Sequence, residues 1–183
     1  MEISALSRPD VLLMRPAVNA DKRGYLVESF NKRRLEEVIG EVEFVQDNQS
    51  LSRVPFTIRG LHFQINPSAQ AKLVRVLQGS ILDVAIDLRC SSPDYGKHAK
   101  AVLTATGFEQ LWVPTGFAHG FCTLEPNTVV FYKVTNFFDP ECERGLKWND
   151  PELGIDWGVE EKEVTLSAKD SKHPFLRDLP SFF

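Results

Sequence analysis

The chain is 183 residues long, 43% apolar and 25% charged, with a formal charge of −4. That size suggests a single domain over residues 1–183, able to bury about 70% of its unfolded surface and to fold without a disulfide or structural metal. The negative balance argues against a broad electrostatic footprint for nucleic acid or an anionic membrane and does not exclude a small anionic ligand held by a local basic cluster.

The first residues, MEISALSRPDVLLMRP, are interrupted by Arg8, Pro9 and Asp10 and do not read as a signal peptide. No run approaches the ~20 apolar residues of a membrane span. Cys90, Cys122 and Cys142 form neither a CxxC pair nor an even framework, which predicts free thiols and a cytoplasmic protein.

In chain order, strands are predicted at 11–18 (VLLMRPAV) and 24–30 (GYLVESF). The one predicted helix is NKRRLEEVIG at 31–40, with Asn31 as cap, Leu35, Val38 and Ile39 as apolar face, and Gly40 as stop. Strand patterns follow at 43–51, 57–64, 72–78, 80–88, 100–105, 109–114, 118–124 and 128–138. QGS, SSPDYG, TG, PTG and EPN punctuate them, and a further helical turn is expected near 150–154. Beyond 156 the chain reads as irregular. No repeat, low-complexity segment or linker is present. Many short strands between Gly and Pro turns predict an all-β sandwich or barrel, for which an eight-strand jelly roll fits the count.

Several residues sit oddly in such strands. In RGLHFQ (59–64), alternation puts His62 with Gly60 and Gln64, and Arg59 on the opposite face. Gly60 permits a bulge that would turn Arg59 and His62 to one side. The alternative for His62 is a hydrogen-bonded core histidine. Tyr132 shares a face with Val130 and Val134, which also suits simple ring packing. Lys72 shares a face with Val74 and Val76, while Arg75 lies opposite with Leu73 and Leu77. Either cation could snorkel at a strand end. His119 follows a turn and could simply bond a backbone carbonyl. Asp83 and Asp87 share a face that is expected to be the solvent side. If that face turned inward, Asp83 would need a partner such as a histidine. Asp170 falls in a tail of exposed composition. No metal is expected, since the four histidines never come closer than 21 residues in sequence and no H-x-H occurs. Gly-rich phosphate loops, nucleophile elbows and dinucleotide fingerprints are absent.

Taken in order, DKRGYLVESFN, FVQDNQS, IRGLHFQ, KLVRVLQGSILDVAIDLR, PTGFAHGF, VVFYKVTNFFDPECERGLKWNDPELGIDW and LSAKD closely resemble the dTDP-4-dehydrorhamnose 3,5-epimerase family over residues 10 to 180. The resemblance implies a cupin jelly roll with a few short helices, working as a homodimer without metal or other cofactor. It implies a dTDP-4-keto-6-deoxyhexose substrate, dTDP-4-dehydro-6-deoxy-D-glucose, and dTDP-4-dehydro-L-rhamnose as product. His62 matches the base, Tyr132 the acid, Lys72 the group beside the C4 oxygen, and Asp170 the partner of His62. Arg23, Glu28, Gln46, Asn48, Arg59, Lys72, His119, Glu143 and Lys169 match substrate-contacting positions. Phe138 stands where the family has a thymine-stacking aromatic, usually tyrosine, so the ring face is kept and a hydroxyl lost. Tyr25 and Leu26 replace a common phenylalanine pair, and Ile58 a common leucine, with apolar bulk retained.

The chemistry asks for such groups. Carbons 3 and 5 flank the C4 ketone, so each carbanion delocalises as an enolate, and inversion takes a proton from one face and returns one to the other. Histidine, ordinarily titrating near 6.5, suits the base, and tyrosine, near 10, the acid. A carboxylate fixes the imidazole tautomer. A cation at the C4 oxygen stabilises charge that exists only in the enolate. Arg23 and Arg59 suit the diphosphate. Rival readings are a single-centre epimerase at C3 or C5, a cupin ketoisomerase, a non-catalytic sugar-nucleotide binder and a metal-dependent oxygenase. The N-terminal strands are expected to exchange between partners.

Overall fold

The computed structural model describes residues 1–183. Its strands are β1 (Glu2–Ala5), β2 (Leu12–Arg15), β3 (Val18–Asp21), β4 (Gly24–Val27), β5 (Gln46–Ser52), β6 (Ile58–Gln64), β7 (Lys72–Gln78), β8 (Ser80–Asp87), β9 (His98–Thr104), β10 (Gln110–Val113), β11 (Phe117–Thr123), β12 (Thr128–Val134) and β13 (Glu143–Gly145), with one helix, α1 (Lys32–Ile39), before β5. A six-stranded sheet, β1-β2-β10-β7-β12-β5, faces a five-stranded sheet, β13-β6-β11-β8-β9, and β3-β4 stands apart as a hairpin. Neighbours in the two large sheets run antiparallel. Non-consecutive neighbours make the crossovers of a cupin-type jelly roll.

Alternation decides what enters the space between the sheets. From the larger sheet come Leu111, Val113, Val74, Val76 and Val130; from the smaller come Ile81, Ala85, Leu103, Phe117 and Phe121. Each large apolar side chain so buried contributes about 1.5–3 kcal/mol by leaving water. The same period that points Val74 and Val76 inward points Lys72 inward, two residues earlier. Likewise Tyr132 follows Val130, Asp83 lies between Ile81 and Ala85, and His119 lies between Phe117 and Phe121. One end of the interior is thereby polar.

Both outer faces are covered. Over the smaller sheet, Leu146, Trp148, Leu153, Trp157 and Leu176 pack on Ile58, Leu61, Phe63 and Ile86. The Trp157 indole N–H donates to the Trp148 carbonyl at 2.9 Å, which satisfies its polar tip. Over the larger sheet, Leu35 of α1 packs with Met14, Leu73 and Trp112. Asn31 Oδ1 accepts the Arg34 N–H at 3.3 Å, and Gly40 stops α1 at a positive φ of 82°. Val38, expected on the apolar face, is exposed.

The strand read at 11–18 breaks into β2 and β3, because Pro16 has no N–H for a ladder. The run read at 128–138 stops at Val134, and β1 and β13, short and polar, carry no pattern that signals them. Residues 150–154 form turns rather than helix, and short 3-10 turns occur instead at Glu161–Glu163, Asp170–Lys172 and Leu176–Asp178. The three cysteines are free, with Cys122 and Cys142 buried. No helix is long and apolar enough to cross a membrane.

Candidate active site

The site begins with a bulge. Between β6 and β11, His62 pairs with His119 and Arg59 with Phe121, so three steps on β6 oppose two on β11. The extra residue falls at Gly60. Ile58, Leu61 and Phe63 go outward, and His62 and Arg59 turn to the other side together. Gly60 has φ 127°, and a Cβ there would stand 2.7 Å from the Gly120 Cα, so only glycine fits.

His62 Nε2 meets Asp170 Oδ1 at 2.7 Å. Asp170 arrives on the 3-10 turn after Ser167, whose Oγ accepts its N–H at 3.0 Å, and its Oδ2 accepts the Gly60 N–H at 3.4 Å. It is 4% exposed, not the surface residue its local composition suggests. Leu166 and Leu176, packed on the outer core, hold this irregular segment down. Burial alone would raise the Asp170 carboxyl. Contacts with His173 and His62 and the Gly60 N–H outweigh it and hold the group well below the usual carboxylate range.

A second buried pair lies behind the first. His119 Nε2 and Asp83 Oδ1 are 2.5 Å apart, and Asp83 is fully buried. The solvent-side reading of Asp83 and Asp87 is therefore wrong, because the smaller sheet is covered on both faces. Asp87 is buried too, gripped by Arg89 Nε and Nη2 at 2.9 and 2.6 Å and by Ser92 Oγ at 2.7 Å. Burial lowers the His119 imidazole, against the pull of Asp83, and favours its neutral form.

Lys72 is 8% exposed, and its Nζ donates to the His62 carbonyl at 3.3 Å. Burial pushes it down to about 8, and the charges of Asp83 and Glu143 act in the opposite direction. Arg75, on the other face as expected, lies over the Phe131 ring at 5.2 Å. Tyr132 packs its ring against the interior core. Burial raises its phenol and the Arg59 charge opposes that rise, so the group stays protonated at neutral pH.

His62, Lys72 and Tyr132 line one open cavity of about 220 Å³, with Gln46, Asn48, Phe138 and Glu143 around its mouth. Gln46 Nε2 donates to Asn48 Oδ1 at 2.8 Å, and Gln46 Oε1 accepts the Phe138 N–H at 3.0 Å, which ties the rim together. Lys169 forms an ion pair with Glu143. Arg59 reaches β5, donating from Nε to Ser52 Oγ at 3.1 Å and from Nη2 to the Leu51 carbonyl at 3.0 Å. Two expected residues are elsewhere: Arg23 sits on the β3-β4 hairpin, ion-paired to Asp21 at 2.6 Å, and Glu28 pairs with Arg34 at 3.3 Å. Gln64 and Gln70 also line the cavity and were not singled out in the sequence, although Gln64 shares the face of His62.

An imidazole oriented by a carboxylate, with a phenol and an ammonium in one jelly-roll cavity, is the equipment of an acid–base enzyme, and with this cupin-type fold it defines the class of sugar-nucleotide epimerases. The sequence model described as dTDP-4-dehydrorhamnose 3,5-epimerase matches residues 5–178. A Sinorhizobium fredii protein of that name is 49% identical over 183 residues, which is 100% of this chain and 93% of that protein. The crystal structure of a Legionella pneumophila dTDP-6-deoxy-D-glucose-3,5-epimerase in complex with dTDP-4-keto-L-rhamnose superposes with a TM-score of 0.93 at 38% identity, covering 98% of this chain and 94% of that one. A Bacillus anthracis dTDP-4-dehydrorhamnose 3,5-epimerase structure with TDP and pyrophosphate bound gives 0.88 at 48% identity, over 92% and 95%. This chain belongs to the dTDP-4-dehydrorhamnose 3,5-epimerase family.

Proposed function

We propose that the chain converts dTDP-4-dehydro-6-deoxy-D-glucose to dTDP-4-dehydro-L-rhamnose by inverting C3 and C5. The observation that carries this reading is the convergence of His62, Lys72 and Tyr132 on one cavity, with Asp170 behind His62. The ring nitrogen Nε2 of His62 is engaged by Asp170, which leaves Nδ1 to take the proton from the carbon beside the ketone. The electron pair of that C–H bond moves onto the C4 oxygen, where the Lys72 ammonium stabilises it; one such contact is worth about 3–4 kcal/mol in the transition state. The Tyr132 hydroxyl, still protonated, returns a proton to the opposite face of the carbon, and the ketone re-forms. The buried His119–Asp83 pair sets the electrostatics under Lys72.

The rim residues serve the nucleotide. Phe138 offers an exposed ring face to thymine. Arg59 keeps part of its guanidinium free for the diphosphate, next to Gln46, Asn48, Glu143 and Lys169. Arg23 and Glu28 act from a second copy of the chain. The hairpin that carries Arg23 exposes Tyr25 and Leu26 at 64% and 73%, and a two-stranded sheet alone is marginal in water. Exchange of this N-terminal region in a homodimer would cover both residues and bring Arg23 to the neighbouring cavity. The proposed protein is cytoplasmic and acts as one domain over residues 1–183; its three free thiols support that location.

Turnover in heavy water, followed by proton NMR, tests the reaction. Deuterium is expected at both C3 and C5 of the product. Deuterium at one carbon only would make this a single-centre epimerase, and a ketone moved to C3 would make it a ketoisomerase. Sedimentation is expected to give a dimer, and a monomer at assay concentration would remove the exchange.

A further inference from the structure

We propose that His62, Asp170 and His173 together form a binding site for a divalent transition metal such as Zn²⁺, and that filling it switches the enzyme off. The imidazoles lie far apart in sequence but meet at one carboxylate. His62 Nε2 is 2.7 Å and His173 Nε2 3.4 Å from the same Asp170 Oδ1. The rings stand edge to face with centroids 5.4 Å apart, and the three ligand atoms lie within 4.8 Å of one another. His173 Nε2 is buried without a hydrogen-bond partner, and its side chain is only 10% exposed. That nitrogen is aimed into the cluster, toward Asp170 Oδ1.

The seat is built for the ring. Gly145 of β13 lies directly beneath it, and any Cβ there would collide with the imidazole. Asp170 has no lysine or arginine partner to compete with a cation; its side-chain contacts are the two histidines and the Gly60 N–H. Two imidazoles and one carboxylate are a donor set that Zn²⁺ takes readily, with a fourth position open to solvent or ligand. Bonds of about 2.0–2.2 Å place ligand atoms roughly 3.4 Å apart, which these side chains reach by shifts of about an ångström. His173 also borders an open recess lined by Glu143, Arg144, Lys169 and Lys172.

The consequence for turnover rests on the reading of His62 as base. A metal on Nε2 displaces the Nε2 proton to solvent or to Nδ1. An imidazole bound through Nε2 is a neutral ligand only with its proton on Nδ1, so the nitrogen that should take the substrate proton is already occupied. The metal is therefore an inhibitor and not a cofactor.

The test uses the full chain, stripped with a chelator and titrated with Co²⁺ in the absence of substrate. The expected result is the visible d–d absorption of a low-coordinate Co²⁺ site, saturating at one equivalent and removed by Zn²⁺. Since loss of a group merely supporting a ligand costs about 10–100-fold in affinity, His173→Ala and His173→Gln should each weaken binding at least tenfold. The Zn²⁺ concentration that halves turnover should rise by the same factor. Either variant that keeps its fold by circular dichroism suffices. No Co²⁺ band, or a band of equal affinity in both variants, would overturn the site. A band lost in the variants together with full turnover of the Zn²⁺-loaded parent would leave the site standing and overturn His62 as the base, which separates the two failures.

Discussion

The polar end of the jelly-roll interior and the β3-β4 hairpin treat charge in opposite ways. Inside, titratable groups come in held pairs: His62 with Asp170, His119 with Asp83, and Lys72 on the His62 carbonyl. The positions of His62, His119, Asp83 and Lys72 follow from strand alternation and one bulge, Asp170 is brought to them by the 3-10 turn Asp170–Lys172, and apolar layers on both sides of the smaller sheet keep them fixed. On the hairpin, Arg23 pairs only with neighbouring Asp21 and is exposed beside Tyr25 and Leu26. A solvent-screened surface pair of that kind contributes little to stability. In the proposed function the contrast separates two jobs: the proton chemistry is assembled within one chain, whereas the grip on the nucleotide is proposed to be shared with a second copy.

Variants can break this contrast from either side. The largest effect is expected at the base. His62→Ala should lower kcat by roughly 10²–10⁴-fold with circular dichroism unchanged, because a positioned base contributes on that order. Lys72→Met should follow at about 10²–10³-fold in kcat, with little change in KM, since its charge acts on the enolate more than on the ketone. Lys72 also sets a pH limit. Burial pushes its ammonium down to about 8, so kcat/KM should fall as pH rises through that value and the proton leaves. Arg23→Ala should act differently, raising KM about tenfold through a lost charge-assisted hydrogen bond and leaving kcat and thermal stability near those of the parent. An unchanged KM would place Arg23 outside the site. The smallest expected effect on chemistry is a purely structural one. Gly60→Ala forces a Cβ into the Gly120 backbone at a positive φ, and should cost on the order of 2 kcal/mol in denaturant unfolding, with activity lost only as the bulge shifts His62.

How much of this was written in the sequence differs residue by residue. The side of the strand on which Lys72 and Tyr132 lie was legible, because each shares a period of two with valines; their roles were not, since snorkelling and ring packing suit the same pattern and only the family resemblance suggested more. The bulge was legible only as an option offered by Gly60; the register against β11 decides it. Asp83 was misread, since alternation separates two faces without saying which is covered, and here residues 146–176 cover the outer one. The burial of Asp170 was not legible in its own surroundings. Its segment is irregular, and what fixes it are distant contacts through Leu166 and Leu176 and hydrogen bonds to β6. The meeting of His62 with His173 was hidden for the same reason, as sequence separation says nothing about side chains brought together over a sheet edge.

The central claim is that one imidazole removes the proton and one phenol on the other face restores it. Solvent exchange in Tyr132→Phe and His62→Ala tests this most directly, with dTDP-4-dehydro-6-deoxy-D-glucose in heavy water and the sugar protons read by NMR. Tyr132→Phe should still wash deuterium into the recovered substrate while inversion nearly stops, and His62→Ala should do neither. Exchange that survives in His62→Ala at the rate of the parent enzyme would contradict the claim.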